Sequence, residues 1–517
     1  MANKILFLKA RTGMDDPSPP MSFSFLGRIA KDEGFEVIIE NLNAQYNQKT
    51  NKDIVRLIKK EKPDIVGVHI FTNAARYSYE LIKVIKSFSK LIIVGGPHAT
   101  ACPEEVLEMG ADIAFIGEAE ISFKNFLRAI KNGKSFENVK GIVFKNNGKI
   151  IKTEAEKVVF DLDELPLPDK EIDAISDYVK IPNEINNFGQ ILSTRGCPGR
   201  CTYCFSLFEK CFRVMSAKKV FQEIEYLRDK YGIKIINFID DSFTVNKKRL
   251  FELCGLIQDS GLGIEWTCGT RVDFLDKEML VKMKDAGCVM VILGIENSIP
   301  KTLLGMNKVL GINGITTPEE YTQRAEKILD WCNELDLRVG TNILCGFPWE
   351  NVEDMKKMQR YINHIKPKIT QGFYGGVLQP QPGTEMYDKY AKKYGFEKWW
   401  LYKKPLFKDD YRPFFTIHYH QYWDHIHNNF FNFDKDYFKE IDKLYRLMGD
   451  WNLRIFSKRR FGNPIVVYFV YKSVLILSLA SEILYSLSPG IEKSLMSGLK
   501  KFSYRFKFRR GNKNGKN

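Results

Sequence analysis

Three features that would each indicate a different class of protein are scarce in this chain of 517 residues. The sequence has only 10 cysteines, scattered along its length, which argues against a secreted disulfide framework. It has no signal-peptide pattern, because Met1 leads directly into the strand-like run KILFLK, and we expect a cytoplasmic protein. It also has no disordered or collagen-like composition, since 44% of its residues are hydrophobic and 13% are aromatic. This length predicts about three domains.

Acidic residues are scarce at the C-terminus. The net charge is +15, but residues 451–517 contain 14 lysines and arginines against two glutamates, a net of +12. Only +3 remains for the rest of the chain. Because the basic character is confined to the C-terminus, we do not expect nucleic acid as the main partner.

Residues 1–140 alternate short apolar runs with amphipathic stretches, which predicts a doubly wound parallel sheet. Ligands of such sheets lie beyond the carboxyl ends of the strands. Glycines and polar side chains occur at those ends in this sequence: His69 and Thr72, then GGPHAT at 95–100, then GEAE at 117–120. The pattern alone also suits an unliganded or nucleotide-binding flavodoxin-like domain.

In order and spacing, PDIVGVHIFT, VGGPHAT and IGEAE resemble the Rossmann-like cobalamin-binding domain that precedes radical S-adenosylmethionine cores. No Asp-x-His-x-x-Gly stretch occurs between Met1 and Lys140. Cobalamin would then bind without the histidine that such a stretch places on its lower face, which is left to water, to another side chain or to nothing. His98, taken alone, is typical of a hydrogen-bonded loop residue. The resemblance implies cofactor contacts from Thr72, Gly95, Gly96, His98, Gly117, Glu118 and Glu120.

A linker is predicted at 141–185, with a hairpin around Asn147 and the irregular connector DLDELPLPD. It leads to STRGCPGRCTYCF, in which three cysteines fall within eight residues. Thiolates are soft ligands, and cysteines at this spacing can converge on one metal centre. The spacing alone leaves open a zinc site completed by Cys211 and a redox pair formed by Cys201 and Cys204.

With Tyr203 before the third cysteine and Phe205 after it, the loop resembles the cluster loop of the radical S-adenosylmethionine superfamily. The resemblance implies that Cys197, Cys201 and Cys204 hold three irons of a [4Fe-4S] cluster. The fourth iron would bind the amino and carboxylate groups of S-adenosylmethionine. An electron from a donor such as flavodoxin or ferredoxin would then release a 5'-deoxyadenosyl radical, which requires exclusion of water.

Residues 186–395 alternate strands and helices, including a helix at Ala217–Tyr231, and predict a partial (β/α)6 barrel. The resemblance assigns Asp240 and Asp241 to the methionine amino group. Arg271 would meet the methionine carboxylate or pair with Asp273. For each assignment a structural role is an open alternative. The resemblance further assigns Glu296 and Asn297 to the ribose, and Ile343 and Gly346 to the adenine. The remaining apolar segments predict small buried thiols at Cys254, Cys268, Cys288, Cys332 and Cys345.

Residues 396–517 predict a mainly helical extension rich in aromatic residues and histidine. Its four clustered histidines suit a metal site less well than an aromatic surface that caps substrate or forms an interface. The apolar run Pro464–Leu487 contains Lys472 and Glu482, so a buried or interfacial helix is favoured over a membrane span. With the basic tail, this run predicts peripheral contact with the inner membrane face. A packed helix with a disordered tail, and RNA binding by the tail, are the alternatives.

Together these patterns predict an α/β enzyme with a Rossmann-like cobalamin-binding domain, a partial barrel and a helical extension. The resemblance implies C-methylation of an unactivated carbon through a 5'-deoxyadenosyl radical and methylcobalamin. The C-terminal character suggests a lipid or isoprenoid-derived small molecule as substrate. The alternatives are a radical oxidative cyclase or ring-rearranging enzyme, similar to the anaerobic magnesium-porphyrin ester cyclase, and a membrane-docked cobalamin or iron-sulfur sensor.

Overall fold

The computed structural model describes residues 4–10, 21–42, 49–169, 188–208, 211–402 and 429–461. Two sheets organise this part of the chain. Both follow the strand–helix alternation of the sequence, and the fold is α/β as predicted.

The first sheet has seven strands in the order β2-β1-β3-β4-β5-β6-β7. Its first five strands are parallel, and their order places the switch point between β1 and β3, where ligands of such sheets bind. The strands are β1 (Lys4–Lys9), β2 (Glu36–Asn41), β3 (Ile65–His69), β4 (Ile92–Gly95), β5 (Ile113–Phe115), β6 (Ile142–Asn146) and β7 (Lys149–Lys152). The helices are α1 (Met21–Asp32), α2 (Asn51–Glu61), α3 (Ala75–Ile85), α4 (Pro97–Ala101), α5 (Pro103–Glu108) and α6 (Glu120–Lys131).

The hairpin predicted in the linker is present as β6 and β7. It does not stand apart from the first sheet, because β6 pairs antiparallel with β5. Ile142, Val143 and Phe144 on β6 are buried against both faces of the sheet, and this burial explains why the hairpin extends the sheet beyond residue 140.

The second sheet has six parallel strands in the order β15-β14-β13-β12-β11-β8 and forms the partial barrel. A small antiparallel pair, β9 and β10, lies between β8 and the first barrel helix. The strands are β8 (Phe188–Ile191), β9 (Thr194–Arg195), β10 (Arg213–Val214), β11 (Ile235–Phe238), β12 (Glu265–Arg271), β13 (Cys288–Glu296), β14 (Arg338–Cys345) and β15 (Gly372–Val377).

The first barrel helix, α7, has the bounds that the sequence predicts. The Ser216 side chain caps its N-terminus, and Gly232, with φ of 66°, ends it in the left-handed conformation. The helices are α7 (Ala217–Tyr231), α8 (Lys247–Ser260), α9 (Lys277–Asp285), α10 (Pro300–Gly305), α11 (Pro318–Glu334), α12 (Val352–Ile365), α13 (Glu385–Tyr394) and α14 (Lys435–Phe461). The five thiols predicted to be buried are buried: Cys254, Cys268, Cys288, Cys332 and Cys345.

The C-terminal helix α14 covers β15, the edge strand of the barrel. Asn452 accepts a hydrogen bond from the backbone N–H of Phe373 (2.7 Å) and donates one to its carbonyl (2.8 Å). The Trp451 indole donates to the carbonyl of Ile369 at 2.9 Å. The two Asn452 bonds satisfy backbone groups that an edge strand would otherwise leave open, and the Trp451 bond holds the segment just before that strand.

The predicted histidine cluster (His418, His420, His425 and His427), the apolar run Pro464–Leu487 and the basic tail lie outside the described residues. Within the part of the chain that is described, no helix has the length and apolar character needed to cross a bilayer.

Candidate active site

The three-cysteine loop connects β9 to β10. Arg195 on β9 lies opposite Arg213 on β10 in this antiparallel pair. Gly196 enters the loop with φ of +80°, and a Cβ on it would lie 2.5 Å from the carbonyl oxygen of Cys211. The loop therefore requires glycine at this position. Cys197 and Cys201 are partly buried, and Cys204 is exposed.

Two donors point at the sulfur atoms of this loop. The Gly199 N–H donates to Cys197 Sγ at 3.3 Å, and Arg271 Nη1 donates to Cys201 Sγ at 3.1 Å. Burial raises the pKa of the Cys197 thiol. Because iron binds the thiolate, an amide and a guanidinium beside the sulfurs offset the cost of burying that charge. Among the described residues, no three His, Cys, Asp or Glu side chains are placed to hold a single metal ion.

Arg271 adopts the pairing with Asp273 that the sequence leaves open. Its Nε and Nη2 donate to the two carboxylate oxygens of Asp273 at 2.8 and 2.6 Å, and Nη2 also donates to the carbonyl of Lys308 at 2.7 Å. Only Nη1 is directed at the cluster loop, where it meets Cys201. The guanidinium is thus fixed by Asp273, and its predicted role at the methionine carboxylate would fall to Nη1 alone.

Asp240 and Asp241, which follow β11, have different environments. Asp240 is buried and accepts hydrogen bonds from the Ser193 hydroxyl (3.0 Å) and the Thr194 N–H. Burial raises its pKa to about 6. Asp241 is exposed and accepts from the N–H of Gly196. Asp240 therefore holds the segment that leads into the cluster loop, and Asp241 is the carboxylate that remains accessible beside the cysteines.

Glu296 and Asn297 also differ in burial: the Glu296 side chain is 12% exposed, and Asn297 is fully buried. Glu296 ends β13 with φ of +69° and lies 3.4 Å from the ammonium group of Lys308. Asn297 is fully buried, and its amide donates to the Leu344 carbonyl (2.9 Å) and to Glu350 (3.0 Å). The amide of Asn297 is thus committed to the protein interior, which leaves Glu296 as the candidate for the ribose.

Glu350 organises the end of β14, and the sequence patterns do not reveal it. Its buried carboxylate accepts from the N–H groups of Gly346 (2.7 Å) and Phe347 (3.0 Å), and from Tyr437 on α14 (2.8 Å). Ile343 is buried in the barrel core, and Gly346 has φ of +88°. Glu350 therefore fixes the turn that was predicted to line the adenine. A carboxylate four residues beyond Gly346 gives no sequence signal for this role.

A cavity of about 370 Å³ opens at the carboxyl ends of β1, β3 and β4. Its wall is mainly apolar and includes seven phenylalanines and four glycines, and its far side is formed by residues of the barrel. Of the predicted cobalamin contacts, Gly95, Gly96, Gly117, Glu118 and Glu120 line it. The barrel contributes Gln190, Leu192, Arg195, Leu207, Phe208 and Ile239.

Glu118 and Glu120 bind the barrel directly. Arg195 donates to Glu118 at 2.6 Å and to Glu120 at 2.5 Å, and Arg213 also pairs with Glu118. The side chains of Arg195, Arg213 and Glu118 are each 3% exposed or less. These buried ion pairs join the end of β5 to the two strands that hold the cluster loop.

Thr72 and His98 lie behind the cavity in a buried polar network. His98 Nδ1 is 3.2 Å from the Thr72 hydroxyl, and Nε2 is 2.8 Å from the Tyr79 hydroxyl. Tyr79 and the Trp400 indole both donate to Glu105, at 2.8 and 2.7 Å. His98 therefore lies in the short helix α4, fully buried and with both ring nitrogens within hydrogen-bond distance of hydroxyl groups, and its contact with a cofactor stays a prediction. The network also attaches the segment after α13 to the first sheet.

Residues 14–127 match the B12 binding domain family, and residues 191–362 match the Radical SAM superfamily. The chain is 30% identical over 378 residues to an uncharacterized methyltransferase of Pyrococcus horikoshii, covering 72% of this chain and 78% of that protein. The chain belongs to the cobalamin-binding radical S-adenosylmethionine enzymes.

Two further comparisons agree with this assignment. The chain is 27% identical over 410 residues to the anaerobic magnesium-protoporphyrin IX monomethyl ester cyclase of Rubrivivax gelatinosus, covering 76% of this chain and 70% of that one. It shares its fold with the radical S-adenosylmethionine methyltransferase TsrM of Kitasatospora setae, with a TM-score of 0.63 and 19% identity. That similarity covers 76% of this chain and 78% of TsrM.

The residues present fit the cofactors of this family. Three thiols with an amide and a guanidinium directed at their sulfurs suit a [4Fe-4S] cluster that leaves one iron for S-adenosylmethionine. The aromatic, glycine-rich cavity suits a flat macrocycle that approaches the backbone closely, and a Cβ on Gly117 would meet no atom within 4 Å. Arg195, Leu207 and Phe208, which flank the three cysteines in sequence, line the cavity, so both cofactors would lie on one face of the barrel.

Proposed function

We propose that this enzyme transfers a methyl group to a carbon atom of a small-molecule substrate. The observation that carries the proposal is the shared wall between the cavity and the cluster loop, formed by Arg195, Leu207 and Phe208. When bound, the cluster with S-adenosylmethionine supplies a carbon-centred radical, and cobalamin supplies a methyl group. A substrate held in the barrel mouth would have both within reach, as C-methylation requires.

The chain's own residues would bind and orient S-adenosylmethionine. The accessible carboxylate of Asp241 suits the methionine ammonium group, and Glu296 suits the ribose hydroxyls. Arg271 Nη1 would remain beside Cys201, with Asp273 fixing its orientation. The turn at Gly346, fixed by Glu350, would line the adenine.

The substrate class is proposed only from the apolar and basic character of the C-terminal sequence. A lipid or isoprenoid-derived compound would match an apolar segment and a basic tail at the C-terminus, which would dock on the inner membrane face. A second candidate function is oxidative cyclisation, which the similarity to the magnesium-protoporphyrin ester cyclase supports. The two differ in whether a methyl group leaves S-adenosylmethionine.

The test uses the full chain reconstituted anaerobically with iron, sulfide and cobalamin. Reduced protein receives S-adenosylmethionine with a deuterated methyl group, and the products are identified by mass spectrometry. We expect S-adenosylhomocysteine and a deuterated methyl group on cobalamin, both absent from a cobalamin-free control. Deoxyadenosine without cobalamin-dependent S-adenosylhomocysteine would contradict methyl transfer and favour the cyclase.

A further inference from the structure

The turn that was predicted to line the adenine is held by a residue from outside the barrel. Tyr437 is the third residue of α14, and its hydroxyl donates to Glu350 at 2.8 Å and accepts from the Gly346 N–H at 3.1 Å. The segment that matches the Radical SAM superfamily ends at residue 362, so α14 lies beyond it. The sequence motifs assign no role to Tyr437.

Packing and a backbone bond fix the side chain of Tyr437. The residue is 1% exposed, and its ring stacks on Phe433 with 4.0 Å between the ring centroids. Its backbone N–H donates to the Asp434 carboxylate at 2.8 Å, which caps the start of α14. Burial raises the pKa of Tyr437 well above its usual value, so the hydroxyl keeps its proton and donates. Because so little of it is exposed, Tyr437 can act on a cofactor only through the turn.

One buried carboxylate joins α14 to the two barrel segments that are candidates for binding the nucleoside. Glu350 Oε1 accepts from the Asn297 amide at 3.0 Å and from the Thr302 hydroxyl at 3.1 Å. Asn297 directly follows Glu296, the candidate for the ribose. Oε2 of the same carboxylate holds the Gly346 turn and accepts from the tyrosine of α14. The position of the turn relative to the ribose segment therefore depends on all the donors to Glu350.

The turn at Gly346 has little room for adjustment. Gly346 has φ of +88°, and a Cβ there would lie 2.7 Å from Val377 Cγ1 on β15. Its N–H is shared between Glu350, at 2.7 Å, and the Tyr437 hydroxyl. Loss of that hydroxyl would remove one donor to the carboxylate and one acceptor for the turn, while the stacked ring would stay in place.

We propose that Tyr437 is a positioning residue for S-adenosylmethionine, which acts through Glu350 and Gly346. Helix α14 then contributes to the cofactor site as well as covering β15. The inference rests on binding of S-adenosylmethionine with its adenine at the Gly346 turn, but it does not rest on methyl transfer.

The test is anaerobic equilibrium dialysis of S-adenosylmethionine against the full chain with a reconstituted cluster. We expect Tyr437→Phe to raise the Kd about three- to tenfold, because a buried hydrogen bond to a carboxylate is lost. Tyr361→Phe on α12 should leave the Kd unchanged, since the Tyr361 hydroxyl makes no hydrogen bond to any described residue. Asn452→Ala removes two bonds between α14 and β15, so it should lower stability in urea and leave the Kd unchanged.

Hydrogen–deuterium exchange of the unmodified, cluster-loaded protein gives a second readout, which needs no substitution. We expect S-adenosylmethionine to slow exchange in peptides that cover residues 343–350 and 435–441. Peptides from the far end of α14, residues 450–461, should exchange at the same rate with and without it. This comparison decides the matter if Tyr437→Phe does not fold.

The contrary outcomes separate this inference from the proposed function. An unchanged Kd in Tyr437→Phe, an equal rise in Asn452→Ala, or slower exchange confined to residues 343–350 would overturn the role of Tyr437 and leave the proposed function intact. Absence of S-adenosylmethionine binding by unmodified protein with an intact cluster would contradict both.

Discussion

At the residue scale, adjacent polar side chains divide into one that supports the fold and one that faces the site. Asp240 holds Ser193 and Thr194, whereas Asp241 is exposed beside the cysteines. Sequence reasoning predicted both pairs, Asp240 with Asp241 and Glu296 with Asn297, as cofactor contacts. It could not separate them, because the direction of a side chain at the end of a strand depends on distant partners, such as Glu350 for Asn297.

The two aspartates give a matched pair of variants. Asp240→Ala should lower the free energy of unfolding by about 1–3 kcal/mol, because the buried Ser193 hydroxyl and Thr194 N–H lose their acceptor. Asp241→Asn should change stability by no more than about 0.5 kcal/mol and should weaken binding of S-adenosylmethionine. Urea denaturation and equilibrium dialysis measure the two effects. Normal S-adenosylmethionine binding by Asp241→Asn would contradict the assignment.

The buried carboxyl of Asp240 also implies a pH dependence. Its pKa rises from an ordinary 3.8 to about 6 in the folded protein, so folding takes up a proton there between those values. Its contribution to stability should therefore fall as the pH rises from 4 to 6. Asp240→Asn should lack this part of the pH dependence. Denaturation of the unmodified protein and of Asp240→Asn between pH 4 and 6 measures the difference in their stability.

At the scale of elements, long-range contacts fix the loops that carry the chemistry. The short pair β9 and β10 holds the cluster loop, and its arginines meet Glu118 beyond β5. The role of Glu118 at the cofactor was predicted from the resemblance to cobalamin-binding domains. The structure adds that the same carboxylate joins the first sheet to the β9–β10 pair that holds the cluster loop.

Removal of the Glu118 carboxylate should destabilise the folded protein. Glu118→Ala leaves Arg195 and Arg213 buried with fewer partners, and we expect a loss of about 3–5 kcal/mol in the free energy of unfolding. Urea denaturation of the apoprotein measures it, with Glu137→Ala as a control at an exposed glutamate. Equal stability of the two variants would mean that the ion pairs do not hold the sheets together.

The local sequence pattern predicted the bounds of some elements but not the contacts of others. The capping residues and apolar spacing of α7 predict Ala217–Tyr231, and the structure has those bounds. The hairpin of β6 and β7 was predicted from its Asn-Gly turn, but its attachment to β5 was not, because pairing with a strand 27 residues earlier leaves no local trace. The packing of α14 over β15 was likewise not predicted, because it depends on a long-range hydrogen bond from the Phe373 N–H to Asn452.

At the scale of the whole molecule, two sheets bring two cofactor sites to one shared wall. The first sheet contributes the cavity, the barrel contributes the cluster loop, and the segment after α13 fastens the two through Trp400 and Glu105. Fold class and family followed from the sequence because three separate motifs agree in order. The contact between the first sheet and the segment after α13 could not be predicted from the sequence, because Glu105 and Trp400 are 295 positions apart.

The measurement that tests the central claim most directly is anaerobic cleavage of S-adenosylmethionine by the reconstituted full chain. We expect 5'-deoxyadenosine from the unmodified protein and from Cys211→Ala, whose thiol lies in the same loop outside the predicted ligand set. Cys201→Ala should give only background levels, because it removes one of the three ligands. Continued deoxyadenosine formation by Cys201→Ala, or none from unmodified protein with a spectroscopically intact cluster, would contradict this account.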